Sequence, residues 1–162
     1  MSEQDLRKMI DFASQFCERM FAMKGEIHAQ YHAVPAQGAH FIHVPTGDKD
    51  TAVAMTRALF ELRDVVRYIF FAEAWTVAKP IGDEELKRMM KRGGVSMHPE
   101  RVEIIMLQGE DREAGMIMAQ RRIIRTGKRA HLGPLEWQDI KGPGRSSEGR
   151  MVGLLPVKGM RQ

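Results

Sequence analysis

The stretch from Thr51 to Pro80, TAVAMTRALFELRDVVRYIFFAEAWTVAKP, constrains the fold more than any other part of the chain. Its first half carries apolar residues at helical spacing, and Asp48 stands before it where a helix N-cap belongs. From about Val65 onward, β-branched and aromatic residues predominate, which is typical of a strand. The stretch therefore predicts a helix that runs directly into a central strand closed by Pro80. The predicted buried stripe of this helix consists of Ala52, Met55, Leu59, Leu62 and Val66.

Shorter elements, separated by turn signals, fill the rest of the chain. Residues 3–23 predict a first helix whose apolar stripe includes Cys17, and this position favours a small buried hydrophobe over a reactive thiol. Asp83 begins a short third helix, which Gly93 and Gly94 end. The predicted strands besides the central one are 27–34, 39–44, 101–108, 115–126, 131–137 and 151–157.

This order of elements, α-β-β-α-β-α-β-β-β-β, predicts an α+β domain. We expect a largely antiparallel sheet with the two long helices packed on one face, because most strands follow one another through short turns. The step through the central helix leaves open one parallel pair of strands. We expect residues 1–140 to form a single domain, followed by a glycine-rich basic segment, 141–162, with a short last strand.

Composition indicates a soluble globular protein. Hydrophobic residues make up 43% of the chain and charged residues 28%, which is the balance of a folded domain rather than a disordered one. The single cysteine excludes a disulfide within the chain and favours a reducing compartment. The first residues lack a signal-peptide pattern, and no apolar run is long enough to span a bilayer. We therefore expect a cytoplasmic protein that does not bind a membrane.

The predicted hairpin 27–44 carries four of the six histidines. If Val34 pairs with Ala39, three of them share one face of the hairpin: His28, His32 and His43. Histidines that converge in this way are potential zinc ligands. Diagonal strand neighbours are wide for one zinc ion, however, and no carboxylate lies beside them in sequence. We expect no bound metal and no cofactor, with these histidines as half-exposed strand residues.

Glu73 is the most unusual residue of the central strand. Side-chain alternation places it on one face with apolar neighbours, two residues before Trp75. A carboxylate buried there needs a cationic partner or a raised pKa. Arg121 and Arg122 fall on opposite faces of a later strand, so one of them must point inward or lie at the sheet edge. The sequence predicts a buried ion pair of Glu73 with one of these arginines, and a ligand-binding acid beside Trp75 is the alternative.

The positive charge of the chain lies in its C-terminal segment. The net charge is +4, and residues 141–162 contain five basic residues and one acidic residue, a difference that accounts for the whole excess. Such a small cluster, with few aromatic neighbours, predicts weak and salt-sensitive nucleic-acid binding at most. The thirteen methionines suit an adaptable protein interface as well as a core. We expect a protein partner and a homodimer that protects the edge strands.

Several short segments together resemble a group of small uncharacterised bacterial proteins. They are Glu73–Trp75 (EAW), His98–Arg101 (HPER), Glu110–Glu113 (EDRE), Leu132–Glu136 (LGPLE) and Glu148–Pro156 (EGRMVGLLP), spread over about the last two-thirds of the chain. The resemblance implies a bacterial cytosolic origin. It transfers no site residues, because the group has no known activity.

Three classes of function remain open. The first is a non-enzymatic binding or accessory protein, favoured because no motif of a hydrolase, kinase, dinucleotide-binding or zinc-finger protein is present. The second is a small hydrolase or metal-dependent enzyme that uses the hairpin histidines or Glu73. The third is a weak nucleic-acid binder that uses the basic C-terminal segment. We favour the first class.

Overall fold

The described part of the chain builds one antiparallel sheet with two long helices packed against it. The computed structural model describes residues 2–77, 83–94, 99–138 and 154–155. The helices are α1 (Ser2–Lys24), α2 (Lys49–Leu62) and α3 (Asp83–Lys91). The strands are β1 (Gln30–Pro35), β2 (Phe41–His43), β3 (Val65–Val77), β4 (Arg101–Asp111), β5 (Gly115–Thr126), β6 (Arg129–Leu132) and β7 (Glu136–Gln138). None of the described helices combines the length and the apolar character that a membrane span requires.

The sheet order is β2-β1-β3-β4-β5-β6, with β7 also paired to β5. The predicted α+β class with a largely antiparallel sheet is confirmed. All pairs among the described strands are antiparallel, so the parallel pair left open by the sequence is not formed between them. The strand predicted for 131–137, with an interruption at Gly133 and Pro134, is two strands, β6 and β7, separated at that dipeptide. The predicted last strand, 151–157, and the segment 141–162 lie outside the described residues apart from Leu154 and Leu155.

The two long helices pack on opposite faces of the sheet, and the prediction that they share one face is wrong. On the α1 face, α1 residues pack against Ile69 and Phe71 of β3 and against β4. On the α2 face, Phe60 of α2 packs against Tyr68 of β3, with 5.1 Å between the ring centroids. Strand side chains alternate, and β3 is apolar on both faces, so each face needs a covering layer. The second core also contains Leu154, which is 1% exposed.

The buried face of α2 differs from the predicted stripe. Asp48 is the N-cap, as predicted, and its side chain accepts a hydrogen bond from the backbone N–H of Thr51. The buried residues, however, are Ala52, Thr56 and Phe60, whereas Met55 and Leu62 are exposed. A threonine occupies the middle of the buried face because its hydroxyl is satisfied by hydrogen bonds. Because Thr56 is polar, a pattern based on the spacing of apolar residues does not include it and does not identify this face as buried.

Helix α1 packs with its predicted apolar stripe inward, over the middle of the sheet. Cys17 is fully buried on that stripe, which confirms its interpretation as a small hydrophobe. Burial raises the pKa of its thiol to about 12, against the opposing effect of the Arg121 charge. The close approach of α1 to β4 depends on Gly109, because a Cβ atom there would lie 2.8 Å from Leu6 Cδ1 and from Ile69 Cδ1.

Charged side chains fasten the start of β3 to the β4–β5 turn. Arg67 Nε lies 2.7 Å from Asp111 Oδ2, and the other carboxylate oxygen of Asp111 accepts hydrogen bonds from the backbone N–H groups of the turn. Beside this pair, Arg112 Nη2 donates to Asp64 Oδ1 at 2.7 Å. Asp64 has a positive φ of 49° in the tight turn between α2 and β3. This end of the sheet is therefore fixed by two arginine–carboxylate pairs.

Candidate functional site

A groove with a volume of about 690 Å³ lies between the first half of α1 and the β1–β2 edge of the sheet. Its position follows from the fold. Helix α1 packs over the strands from β3 to β6, and the hairpin β1–β2 extends the sheet on the other side of β3. The lining residues are Lys8, Met9 and Phe12 on α1, His32, Ala33 and Val34 on β1, His40, Phe41 and Ile42 at β2, and Ile69 on β3.

Two apolar side chains on the walls of this groove face solvent. Phe12 on α1 is 61% exposed, and Ile42 on β2 is 60% exposed. Both belong to a contiguous lining that includes Met9, Val34 and Ile69. Single exposed apolar residues are common on protein surfaces, but a concave apolar surface of this size is typical of a binding site.

Among the described residues of the lining, the titratable groups are one lysine and two histidines, Lys8, His32 and His40, and none is a carboxylate. The ring of His32 packs edge-on against Phe16 and Phe71, with centroid distances of 5.4 and 5.0 Å. Its Nε2 atom lies 3.0 Å from Gln30 Oε1. Burial lowers the pKa of His32, so the ring is neutral near pH 7. It therefore contributes an aromatic surface without positive charge.

The three hairpin histidines do not come together, and their predicted common face is wrong. The observed register pairs Tyr31 with His43 and His32 with Ile42, one residue away from the predicted pairing. A shift of one residue moves a side chain to the other face, so His43 lies on the α2 face and His32 on the α1 face. His28 is exposed, with Nε2 3.3 Å from Glu26 Oε1. Among the described residues, no three His, Cys, Asp or Glu side chains are grouped as a metal site requires.

The predicted buried pair of Glu73 with an arginine is also wrong. Glu73 is exposed, and Ile105 of β4 stands between it and Arg121 in the register of the sheet. The inward-pointing arginine is Arg121, which is 8% exposed. Its guanidinium donates to Gly133 O at 2.6 Å and also contacts the Glu18 carboxylate on α1 at 3.4 Å. Arg121 thus connects α1 to the sheet and does not pair with the Glu73 carboxylate of the central strand.

The site around Trp75 is small, and most of the charged side chains in it already have interaction partners. The Arg101 guanidinium lies over the Trp75 ring at 5.1 Å from its centroid. A cavity of about 110 Å³ beside Glu73 also contacts Glu103 and Arg125, whose side chains form a hydrogen bond of 2.6 Å. This cavity is too small for a drug-sized ligand.

A larger polar cavity, of about 280 Å³, lies near Arg122 on the same face as α2. Its polar side chains bond to one another. Gln138 Nε2 donates to Gln120 Oε1 at 2.5 Å, Gln120 Nε2 donates to Glu136 at 3.3 Å, and Arg122 Nε lies 3.7 Å from the Glu136 carboxylate. Because these groups are already paired, a ligand gains little by binding them. The groove beside α1 is therefore the stronger candidate.

No protein-family model, curated protein or solved structure matches this chain, so the site rests on its own geometry. The sequence did not single out Lys8, Phe12 or Ile42. Phe12 alone carried a signal, since it is a large aromatic residue outside the apolar stripe of α1. Ile42 became visible as a wall residue only once the register of β1 and β2 was known.

Proposed function

We propose that this protein is a non-enzymatic binding protein, and that the groove between α1 and the β1–β2 hairpin holds a small molecule with an apolar body. The observation that carries this proposal is the pair of exposed apolar walls, Phe12 and Ile42, across a groove of about 690 Å³. Pockets for small molecules commonly have volumes of 300 to 1,000 Å³ and mostly apolar linings with a few polar groups. An apolar ligand would remove both side chains from water, at a gain of roughly 25 cal/mol for each Å² covered.

The enzymatic alternative gains no support from this geometry. His32 and His43 lie on opposite faces of the sheet. Glu73 is exposed, and the one other acid among the described residues that line its cavity, Glu103, is already paired with Arg125 at 2.6 Å. General acid–base catalysis needs such groups within hydrogen-bond reach of one another or of a substrate. The proposed nucleic-acid alternative depends on basic residues in 141–162, which lie outside the described part of the chain.

A titration of ¹⁵N-labelled protein with 1-octanol tests the proposal, because this probe is apolar and uncharged. We expect saturable amide shifts confined to the residues that line the groove. Ile42→Glu places a charge on one wall and should abolish these shifts. Ile124→Glu is the matched control, since Ile124 is also an exposed strand residue, on β5 at a distance of several strands from the groove. Shifts that do not saturate, or that survive Ile42→Glu unchanged, would overturn the proposal.

A second copy of the chain is the alternative occupant of the same walls. The homodimer that the sequence predicts would cover Phe12 and Ile42, and we propose it only as a separate use of this surface. Light scattering of the protein at tens of micromolar distinguishes the two. A dimer mass that returns to the monomer mass in Ile42→Glu supports the homodimer, whereas a monomer mass for the unchanged protein refutes it.

A further inference from the structure

We infer that the ligand of this groove carries a single carboxylate at one end of its apolar body, and that the Lys8 ammonium binds this carboxylate. This inference rests on the proposed function and adds the chemistry of the ligand head. The inference depends on the position of Lys8 at the wall of an apolar groove. Among the described residues, Lys8 has no anionic partner and no acid lines the groove.

Lys8 differs from the neighbouring basic residues in having no partner within the part of the chain that the structure describes. Arg7 forms an ion pair with Glu3 at 3.1 Å, and its guanidinium lies over the Trp137 ring. Arg67 is paired with Asp111. Within the described residues, by contrast, Lys8 makes no ion pair or hydrogen bond, although it lines the groove. Its ammonium is therefore available to a ligand.

The other polar groups of the lining do not compete with Lys8 for the role of anion partner. His32 already shares its Nε2 with Gln30 and packs between two phenylalanine rings. His40 is exposed and lies on the opposite wall, at the β2 side. A lysine can lay its aliphatic stem along an apolar wall and keep its charged end in water at the rim. The apolar body of a ligand would then lie against Phe12 and Ile42, with its head at the rim.

One lysine suits a monoanion better than a phosphate. Phosphate sites generally combine several donors, such as arginine forks or consecutive backbone N–H groups, because the ligand carries nearly two charges. The groove offers a single flexible ammonium, which acts as a point charge. A carboxylate at the end of an aliphatic or aromatic body satisfies both the charge and the apolar lining.

Three ligands share an eight-carbon chain and differ only in their polar head group: octanoate, 1-octanol and octylammonium. Comparing their affinities measures the contribution of the head group alone. At pH 7.5 and low salt, we expect octanoate to bind roughly fivefold more tightly than 1-octanol, and octylammonium more weakly, because a partly exposed ion pair contributes up to about that factor. The dissociation constants come from the amide shifts of the groove residues. The octanoate preference should decrease as salt rises, since salt screens an exposed pair.

Variants at position 8 identify the cation. Lys8→Met should abolish the preference for octanoate and leave the affinity for 1-octanol within about twofold, since lysine and methionine have similar helix propensities. Lys8→Glu should invert the preference toward octylammonium. Lys24→Met, on the same helix but away from the lining, is the matched control and should keep the wild-type preference.

The possible results separate this inference from the proposed function. If none of the three ligands binds in the groove, both fail together. If 1-octanol binds as tightly as octanoate, or octylammonium binds most tightly, the proposed function stands and the inference is overturned. If octanoate is preferred but Lys8→Met keeps the preference, the assignment of Lys8 is overturned.

Discussion

His43 Nε2 lies 2.9 Å from Thr56 Oγ1, and this hydrogen bond joins the edge strand β2 to α2. The Thr56 hydroxyl gives its only hydrogen to the carbonyl of Ala52, at 2.7 Å. It must therefore accept at the other contact, which means that His43 carries a hydrogen on Nε2. The His43 ring also stacks on Tyr31 with 5.9 Å between centroids. One short edge strand is thus held by a buried hydroxyl and an aromatic ring.

Removal of the Thr56 hydroxyl should destabilise the protein while keeping its shape. We expect Thr56→Val to lower the free energy of unfolding by about 1–3 kcal/mol, because the His43 N–H loses its acceptor. Urea denaturation followed by circular dichroism measures this change. Valine and threonine have similar helix propensities, so Thr56→Val itself changes propensity little. Met55→Val, at an exposed position of the same helix, shows what the loss of propensity alone costs and should cost less than 1 kcal/mol. Equal losses in the two variants would contradict the role of the hydrogen bond.

Stability should decrease as the pH falls from about 6.5 toward 5, because burial lowers the pKa of both His32 and His43 below the usual value of about 6.5. In this interval the unfolded chain binds more protons than the folded one, so acidification favours unfolding. Unfolding free energies at pH 7.5 and 5.5 test this sign. The difference should shrink in His32→Gln and in His43→Gln, and remain in His40→Gln, where the side chain is exposed. A protein that is more stable at pH 5.5 would show the opposite linkage.

The Arg67–Asp111 pair should contribute a second loss of stability at lower pH. Burial alone would raise the pKa of Asp111, but two backbone N–H groups and the Arg67 guanidinium outweigh it, so the pKa is lowered. Its contribution is therefore present above about pH 4 and is lost as the pH falls through the lower folded pKa. At pH 7 we expect Asp111→Asn to cost about 2–4 kcal/mol, because Arg67 loses a nearly buried counter-ion. The exposed Asp11, changed to Asn, should leave the unfolding free energy within about 0.5 kcal/mol.

A methyl group at Gly109 should disturb the contact between α1 and the sheet. We expect Gly109→Ala to lower stability by about 1–3 kcal/mol, because the new Cβ would lie 2.8 Å from buried methyl groups of Leu6 and Ile69. Thermal and urea denaturation measure the loss. In the double variant Gly109→Ala/Leu6→Ala, the smaller side chain at position 6 makes room for the new methyl group. The double variant should therefore lose less unfolding free energy than the sum of the losses in the two single variants. Full additivity would show that the neighbours already have room to move.

Local signals predicted much of the fold. The Asp48 cap, the succession of α2 and β3 and the strands of the β4–β5 hairpin followed from capping residues, periodicity and turns, which act within a few positions. The face of the sheet on which α2 packs did not follow from them. Apolar residues on both sides of β3 require two layers, but they do not state which helix covers which side.

The candidate site was predicted less well, because it depends on long-range placement. The turn between β1 and β2 contains good turn residues, yet turn composition did not fix the pairing, and an error of one residue placed His43 on the wrong face. The prediction that Glu73 is buried was wrong, because this end of β3 is exposed on the α1 face. Lys8, Phe12 and Ile42 line one groove only because of the way α1 lies across the sheet. The spacing of apolar residues in the sequence does not predict that orientation.

The place of Leu154 in the second core has a consequence for the order in which the protein folds during synthesis. Among the described residues, the core on the α1 face uses none later in the chain than Leu135, whereas the core on the α2 face includes Leu154 and Leu155. Chains emerge from the ribosome with their N-terminal part first. The α1 face, together with the groove at its edge, can therefore close while the α2 face still exposes the rings of Tyr68 and Phe70. We expect a stalled nascent chain of which about the first 140 residues have left the ribosome, with Leu154 still inside the exit tunnel, to protect α1 from proteolysis before it protects α2.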